Sequence, residues 1–240
     1  MKPLVSICIP IYYSGPETPR VLGELIHSIN IQTYSSILVL ASIQPSEDIA
    51  GNKRMMSELS KCTKECRVIG CSGRGPAANT NSAIGLGVNC GHRYIKIMNQ
   101  DDLLDSRTAI ADMVATLEKS DAKWLASMCT HTDSEGVKRE RPHQPRWPGE
   151  KAMVEGVNQI GCPSAIMFDS SLTLKCDPKI LYAMDCDMWI QLYRQAGPPA
   201  IHLLPDVVVR MWESQLTQNL DIPKQLESDK RAMRMKYGYT

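Results

Sequence analysis

The chain has 240 residues, of which 43% are hydrophobic and 22% charged. At ~150 residues per domain this is one large domain or two small ones, with too much apolar surface for a disordered chain. Twenty-seven basic residues against twenty-six acidic ones leave +1, so no global field favours nucleic acid or an anionic membrane, and a bound anion must be held locally.

Met1-Lys2-Pro3 leads directly into the apolar run Leu4-Val5-Ser6-Ile7-Cys8-Ile9. That run is too short for a signal segment with its cleavage site. Nor does any stretch of about 18 apolar residues mark a membrane span. The nine cysteines are odd in number and scattered, which predicts free thiols and a cytoplasmic protein. Cys62, Cys66 and Cys71 come nearest to a metal spacing, but no paired His or second Cys-x-x-Cys accompanies them.

Residues 4–11, rich in branched side chains, predict a buried strand, and Tyr12-Tyr13-Ser14-Gly15-Pro16 a loop. Thr18-Pro19 has the form of a helix start. Leu22, Leu25, Ile26 and Ile29 follow at helical spacing and would lay one face on a sheet. Strands are predicted at 37–41, 68–69 and 94–98, with helices around Met55, Met56 and Leu59 and from Ala77 to about Val88. Strand alternating with helix implies right-handed crossovers and a mostly parallel sheet covered on both faces. Ligands in such sheets sit beyond the carboxyl ends of the strands. There the loops 10–14, 42–48 and 99–102 should converge.

Beyond that point Ile110, Met113, Val114 and Leu117 predict a helix and residues 124–128 a strand. Asp133-Ser134-Glu135-Gly136 is a turn. Residues 137–157 form a long polar loop carrying Arg139, Arg141 and Arg146, with the length of a functional or mobile segment. A strand at 165–168, a helix from 181 to about 195 ended by Gly197-Pro198-Pro199, a strand at 207–211 and a charged helix from Lys224 complete the chain.

Two acidic segments carry chemistry. Tyr94-Ile95-Lys96-Ile97-Met98 runs into Asn99-Gln100-Asp101-Asp102. This puts two adjacent carboxylates at the ligand-binding edge, where hard oxygen suits Mg²⁺ or Mn²⁺. The same acids would also suit the start of a helix. Asp185-Cys186-Asp187 opens an amphipathic helix, and side chains two apart face different ways. At most one of these acids would meet a substrate, as a general base; otherwise both serve the helix terminus. Gly73-Arg74-Gly75-Pro76-Ala77-Ala78 fits a dinucleotide-binding fingerprint, with Asp101 at the acidic position. It follows the third strand rather than the first, which disfavours a nicotinamide-dependent oxidoreductase.

Taken in order, these motifs resemble the family 2 glycosyltransferases of the GT-A fold over about residues 3 to 215. Pro3 to Tyr12 is similar to that family's first strand and Pro-x-Tyr turn. Ser28-Ile29-Asn30-Ile31-Gln32-Thr33-Tyr34 is similar to its S-x-x-x-Q-T-Y helix end. Asn99-Gln100-Asp101-Asp102-Leu103-Leu104 is similar to its Asp-x-Asp-Asp element, and Asp185-Cys186-Asp187-Met188-Trp189 to its later Glu-Asp-x-Asp-x-Trp element. The resemblance implies one continuous GT-A domain. Residues 1–105 would be its nucleotide-sugar half, and residues 106–240 its acceptor half with a C-terminal helix.

It implies an inverting, metal-dependent transfer of one sugar from a nucleotide diphosphate donor, a UDP-hexose, to a sugar or other hydroxyl acceptor. Asp185 would be the base, and Asp101 and Asp102 the ligands of Mn²⁺ or Mg²⁺. Pro10, Ile11, Tyr12, Ser42, Gln44, Arg74, Asn79, Asn99, Gln100 and Arg210 would form the nucleotide site. Several positions depart from the family pattern. The second strand ends Leu40-Ala41-Ser42-Ile43-Gln44 without its acid pair, Asn99 replaces an Asp, Thr80 an Arg and Met184 a Glu, and Trp212-Glu213 stand where a His is common. Gln191-Leu192-Tyr193-Arg194 lacks the Trp of processive members, which implies single-sugar transfer. The missing strand-two acids suggest an alternative, a non-catalytic nucleotide-sugar-binding module. A sugar-1-phosphate nucleotidyltransferase would want a Gly-rich loop after the first strand, where Pro10-Ile11-Tyr12-Tyr13 stands.

Overall fold

A computed structural model describes residues 4–133, 136–138, 141–211 and 220–239. Arg139, Trp212 and Glu213 lie outside the described residues, as does part of the predicted turn at 133–136. The first half alternates as predicted: β1 (Val5–Tyr12), α1 (Thr18–Asn30), β2 (Ile37–Gln44), α2 (Ile49–Leu59), β3 (Glu65–Gly70), α3 (Pro76–Asn89) and β4 (Tyr94–Ile97). The second half contains β5 (Leu103–Leu104), α4 (Ala109–Glu118), β6 (Trp124–Thr132), α5 (Glu150–Val154), β7 (Ile166–Asp169), α6 (Met184–Ala196), β8 (Ala200–Arg210) and α7 (Ile222–Tyr237).

Among the described residues, all eight strands join one sheet in the order β3-β2-β1-β4-β7-β6-β8-β5. Pairing is parallel across β3-β2-β1-β4 and again between β6 and β8. It is antiparallel where β7 enters between β4 and β6, and where β5 meets β8. The expected parallel sheet therefore holds for the first half and becomes mixed in the second.

Alternation along β1 explains the layers. Val5, Ile7, Ile9 and Ile11 join a core with residues of α1, α2 and α4, while Cys8 joins the opposite core with α3 and α6. A side chain at Gly87 would meet Cys8 Sγ and Ile95 Cδ1 at 2.8 Å, so glycine there lets α3 lie close on the sheet.

The S-x-x-x-Q-T-Y segment is a structural tie. Gln32 is buried; its Nε2 donates to the Ser28 and Ser106 carbonyls and its Oε1 accepts from the Ile110 N–H. Ser28 Oγ accepts from the Leu104 N–H at 3.3 Å. The end of α1 thereby fixes β5, directly after the acidic loop.

Three predicted boundaries move. The long polar loop contains α5, held by Glu150 to Arg194 and Tyr239 and by stacking of Trp147 on Tyr193 at 4.1 Å. β8 begins at Ala200, not near 207, and α6 begins at Met184, not 181. Among the described residues no helix is long and apolar enough to cross a membrane. The nine cysteines are unbridged, and no three His, Cys, Asp or Glu side chains of the described residues gather as a metal-ligand group.

Asp187 latches α7 to α6. It is fully buried and accepts from Lys236 Nζ at 2.7 and 2.9 Å, from Tyr237 Oη at 2.5 Å and from Gln191 Nε2 at 2.8 Å. Its removal strands these donors, so Asp187→Ala should cost roughly 3 kcal/mol in urea unfolding. A loss below about 1 kcal/mol, the range of an exposed pair, would contradict the latch.

Candidate active site

The carboxyl ends of β1, β2 and β4 meet through side chain to backbone bonds. Gln100 clamps the end of β1: its Oε1 accepts the Tyr12 N–H at 2.7 Å and its Nε2 donates to the Tyr12 carbonyl at 2.8 Å. The Tyr12 ring is left exposed. Asn79, on the first turn of α3, donates from Nδ2 to the Ile11 carbonyl at 2.8 Å. Gln44 Oε1 accepts the Gly75 N–H at 2.8 Å and ties β2 to the start of α3. Gly75 occupies φ 88, the region glycine tolerates, and so lets the chain turn into α3.

The expected nucleotide residues thus divide. Tyr12 and Arg74 are exposed, and Pro10, Asn99 and Gln100 are half-buried around this edge. Ile11 turns its side chain fully into the core, so only its backbone reaches the edge. Ser42 and Asn79 are buried, and their Oγ and Oδ1 find no hydrogen-bond partner. Such orphaned acceptors are uncommon.

The two adjacent acids also separate. Asp101 is half-buried at the surface of the loop. Asp102 is only 1% exposed. Its Oδ1 accepts the Arg210 N–H at 3.3 Å and its Oδ2 accepts Asn99 Nδ2 at 3.1 Å. Burial, reinforced by the charge of Asp101, raises the Asp102 carboxyl to about 7. Of the two acids expected to hold a metal, Asp102 is engaged from inside the fold and Asp101 is the one with access to solvent. A hard divalent cation needs few protein ligands when diphosphate oxygens complete its shell, so one accessible carboxylate fits it. Arg210 also departs from expectation. Its guanidinium is buried and donates to Glu24 on α1 at 2.5 Å, rather than lying open at the edge.

Beneath the loop lies Lys96, fully buried in β4. Its Nζ donates to the Ser164 carbonyl and, at 3.2 Å, to the Ile97 carbonyl. Burial lowers the ammonium to about 8, against the opposing pull of Cys162, Asp102 and Asp206. Ser164 Oγ accepts the Asn99 N–H at 2.8 Å. A lysine inside an otherwise apolar strand is the sequence signal for this hub; Ser164, in an ordinary Pro-Ser-Ala turn, gives none.

Asp185 is the second residue of α6. It lies deep in the molecule yet keeps partial contact with solvent, and burial alone raises its carboxyl to about 7. Asp187 faces α7 instead, so the two acids point apart as their spacing predicts. Cys162 links the two acidic segments. Its Sγ lies 4.0 Å from Asp102 Oδ2, and its thiol is pushed up by a hydrogen bond with Cys129, by burial, and by the charges of both Asp102 and Asp185. The 161–164 segment is bonded to both elements: Ser164 Oγ accepts the Asn99 N–H of the acidic loop, and the Gly161 carbonyl accepts Trp189 Nε1 of α6 at 3.2 Å. Two open clefts, of about 750 and 600 Å³, lie elsewhere, against α1 and against α7. Neither is lined by Asp101, Asp185 or Tyr12.

No protein-family model matches the chain, and no curated protein does. Solved structures do. Residues 1–349 of TarS from S. aureus align with a TM-score of 0.64 and 11% identity over 98% of this chain and 72% of that one. The same fragment in complex with UDP gives 0.61 and 12% identity over 99% and 72%. The mannosyltransferase PcManGT from Pyrobaculum calidifontis, in complex with GDP-Man and Mn²⁺, gives 0.55 and 16% identity over 88% of this chain and 57% of that one. At these identities the likeness is one of fold: a mixed α/β sheet flanked by helices, of the GT-A type seen in glycosyltransferases.

The raised Asp185 carboxyl has a consequence for stability. Its folded value, about 7, exceeds the ordinary 3.8, so the unfolded chain releases this proton first. The contribution is complete below about pH 4 and is lost as pH rises through about 7. Thermal melts of Asp185→Asn should show the variant gaining on the wild type between about pH 4 and pH 8. A difference independent of pH would contradict the burial.

Proposed function

We propose that the chain is an inverting glycosyltransferase that moves one sugar from a nucleotide diphosphate donor, a UDP-hexose, to an acceptor hydroxyl. What supports this reading is the GT-A-type fold together with two acidic elements, the loop after β4 with Asp101 and the start of α6 with the raised Asp185 carboxyl, both bonded to the 161–164 segment. The neighbours crystallised with UDP or with GDP-Man and Mn²⁺ support a nucleotide-sugar donor without fixing its base. In this reading residues 1–105 hold the donor and residues 106–240 shape the acceptor side. The unbridged cysteines favour a reducing, cytoplasmic setting.

Tyr12 offers an exposed ring beside the Gln100 clamp, on which a base can stack. The orphaned Ser42 Oγ and Asn79 Oδ1 are further hydrogen-bonding groups at this edge. Arg74, at the Gly-rich entry to α3, and the N–H groups of that helix suit a diphosphate. Asp101 would hold Mn²⁺ or Mg²⁺, which supplies charge neutralisation on the departing diphosphate. Asp185 takes the acceptor's proton as its oxygen attacks the anomeric carbon from the opposite side. A carboxyl raised to about 7 is a stronger base than an ordinary one and is still substantially ionised near neutrality. Activity should therefore climb as pH rises through about 7.

Release of UDP from a panel of UDP-sugars, with and without Mn²⁺, tests the reading. UDP should appear in a metal-dependent way from at least one donor. Asp185→Asn should lower acceptor transfer by about 10²–10⁴-fold while calorimetry finds UDP affinity unchanged, and Asp101→Ala should remove the metal's gain in UDP affinity. Binding of UDP with no turnover of any nucleotide sugar would favour the binding module instead. Full activity in Asp185→Asn would refute the base.

A further inference from the structure

Helix α6 carries the proposed base but has no cap of its own. The residue preceding it, Ala183, has no side chain to accept from the helix's first N–H groups. The N-terminal N–H groups of a helix need partners from somewhere, and a carboxylate there also complements the helix dipole. The chain that leads into the helix is held instead by an acceptor 46 residues beyond Ala183. Asp229, in the middle of α7, is fully buried. Its Oδ2 accepts the Tyr182 N–H at 2.6 Å and the Ala183 N–H at 2.8 Å, and both its oxygens lie 3.1 Å from the Leu181 nitrogen. Gln225 Nε2, one turn earlier on α7, donates to Oδ1 at 2.8 Å and holds the carboxylate in place.

We propose that Asp229 is the positioning residue for Asp185: a carboxylate on the C-terminal helix fixes the backbone from which the base projects. The inference rests on the reading of Asp185 as base. The two residues do not act through charge, because burial alone accounts for the state of the Asp185 carboxyl. The path is mechanical. Three consecutive N–H groups, at 181, 182 and 183, converge on one carboxylate, and Asp185 follows two residues later. A second tie, from Lys236 and Tyr237 to Asp187, holds the other side of the same turn. Cutting the first tie alone leaves α7 docked but frees the strand of chain that enters α6. An acid that must meet an acceptor hydroxyl within hydrogen-bond reach is sensitive to displacements of about 1 Å, which cost on the order of 100-fold.

The test measures steady-state transfer, UDP affinity and melting temperature for the full chain and for Asp229→Ala, Asp229→Asn and Asp185→Asn. Asp229→Ala should lower kcat about 10- to 100-fold, with donor KM and UDP affinity within about twofold of wild type. Asp229→Asn, which keeps one acceptor oxygen, should recover most of that loss. Hydrogen exchange should quicken at the amides of residues 181–183 in Asp229→Ala. A purely structural Asp229 would lower the melting temperature yet leave kcat per folded molecule unchanged, and that outcome overturns the proposal. If Asp185→Asn abolishes transfer while Asp229→Ala does not lower kcat, only this inference fails. If Asp185→Asn is fully active, or the wild-type chain turns over no donor, the reading of the base fails and the inference goes with it.

Discussion

The bonds that Asp102 accepts hold the two halves of the molecule in register at the ligand-binding edge. One carboxylate receives the amide of Asn99, three residues before it, and the backbone N–H of Arg210 at the far end of β8. The acidic loop of the first half and the last strand of the second are thus tied at one point, inside the protein. Three residues before Asn99, Lys96 sits in β4 with its ammonium on the Ser164 carbonyl, and Ser164 in turn caps the N–H of Asn99. A buried cation on backbone carbonyls and a buried carboxyl group on one backbone and one side-chain donor make a polar network that is costly to break from either side.

This arrangement explains why neighbouring acids have different fates. Only Asp101 keeps access to solvent, because Asp102 is consumed by the fold. Asp185 and Asp187 divide in the same way: one is locked to α7 by Lys236 and Tyr237, and the other is left deep in the molecule with a raised carboxyl. In each pair one carboxylate is consumed by the fold and its neighbour keeps partial exposure to solvent. In the proposed glycosyl transfer, the buried members would hold the backbone from which Asp101 and Asp185 project, the pre-organisation that a catalytic site requires.

Much of this was legible in the sequence. Branched runs separated by helical periodicity located β1 to β4 and α1 to α4 near their observed places, and the spacing of Asp185 and Asp187 foretold their divergence. What stayed hidden depended on long-range partners. β5 is two residues long and carries no period. The start of α6 falls at Met184 rather than 181, and the N–H groups of residues 181–183 before it are bonded to Asp229 on α7, which no local pattern reveals. The antiparallel insertion of β7 follows from the pairing of β4 with a strand some seventy residues later, outside the reach of alternation rules. Arg210 was expected to face a ligand, but its pairing with Glu24 joins α1 to the last strand. The identity of Asp102 as a buried tie could not be told from that of Asp101, since adjacent acids look alike until burial separates them.

The most direct test of the account is anomalous diffraction at the manganese edge from crystals grown with UDP and Mn²⁺. A single manganese peak is expected, coordinated by the Asp101 carboxylate and the UDP diphosphate, with the base beside Tyr12 and Asp102 still bonded to the Arg210 backbone. UDP seated in the cleft against α1, or manganese bound by Asp102 and not by Asp101, would contradict it.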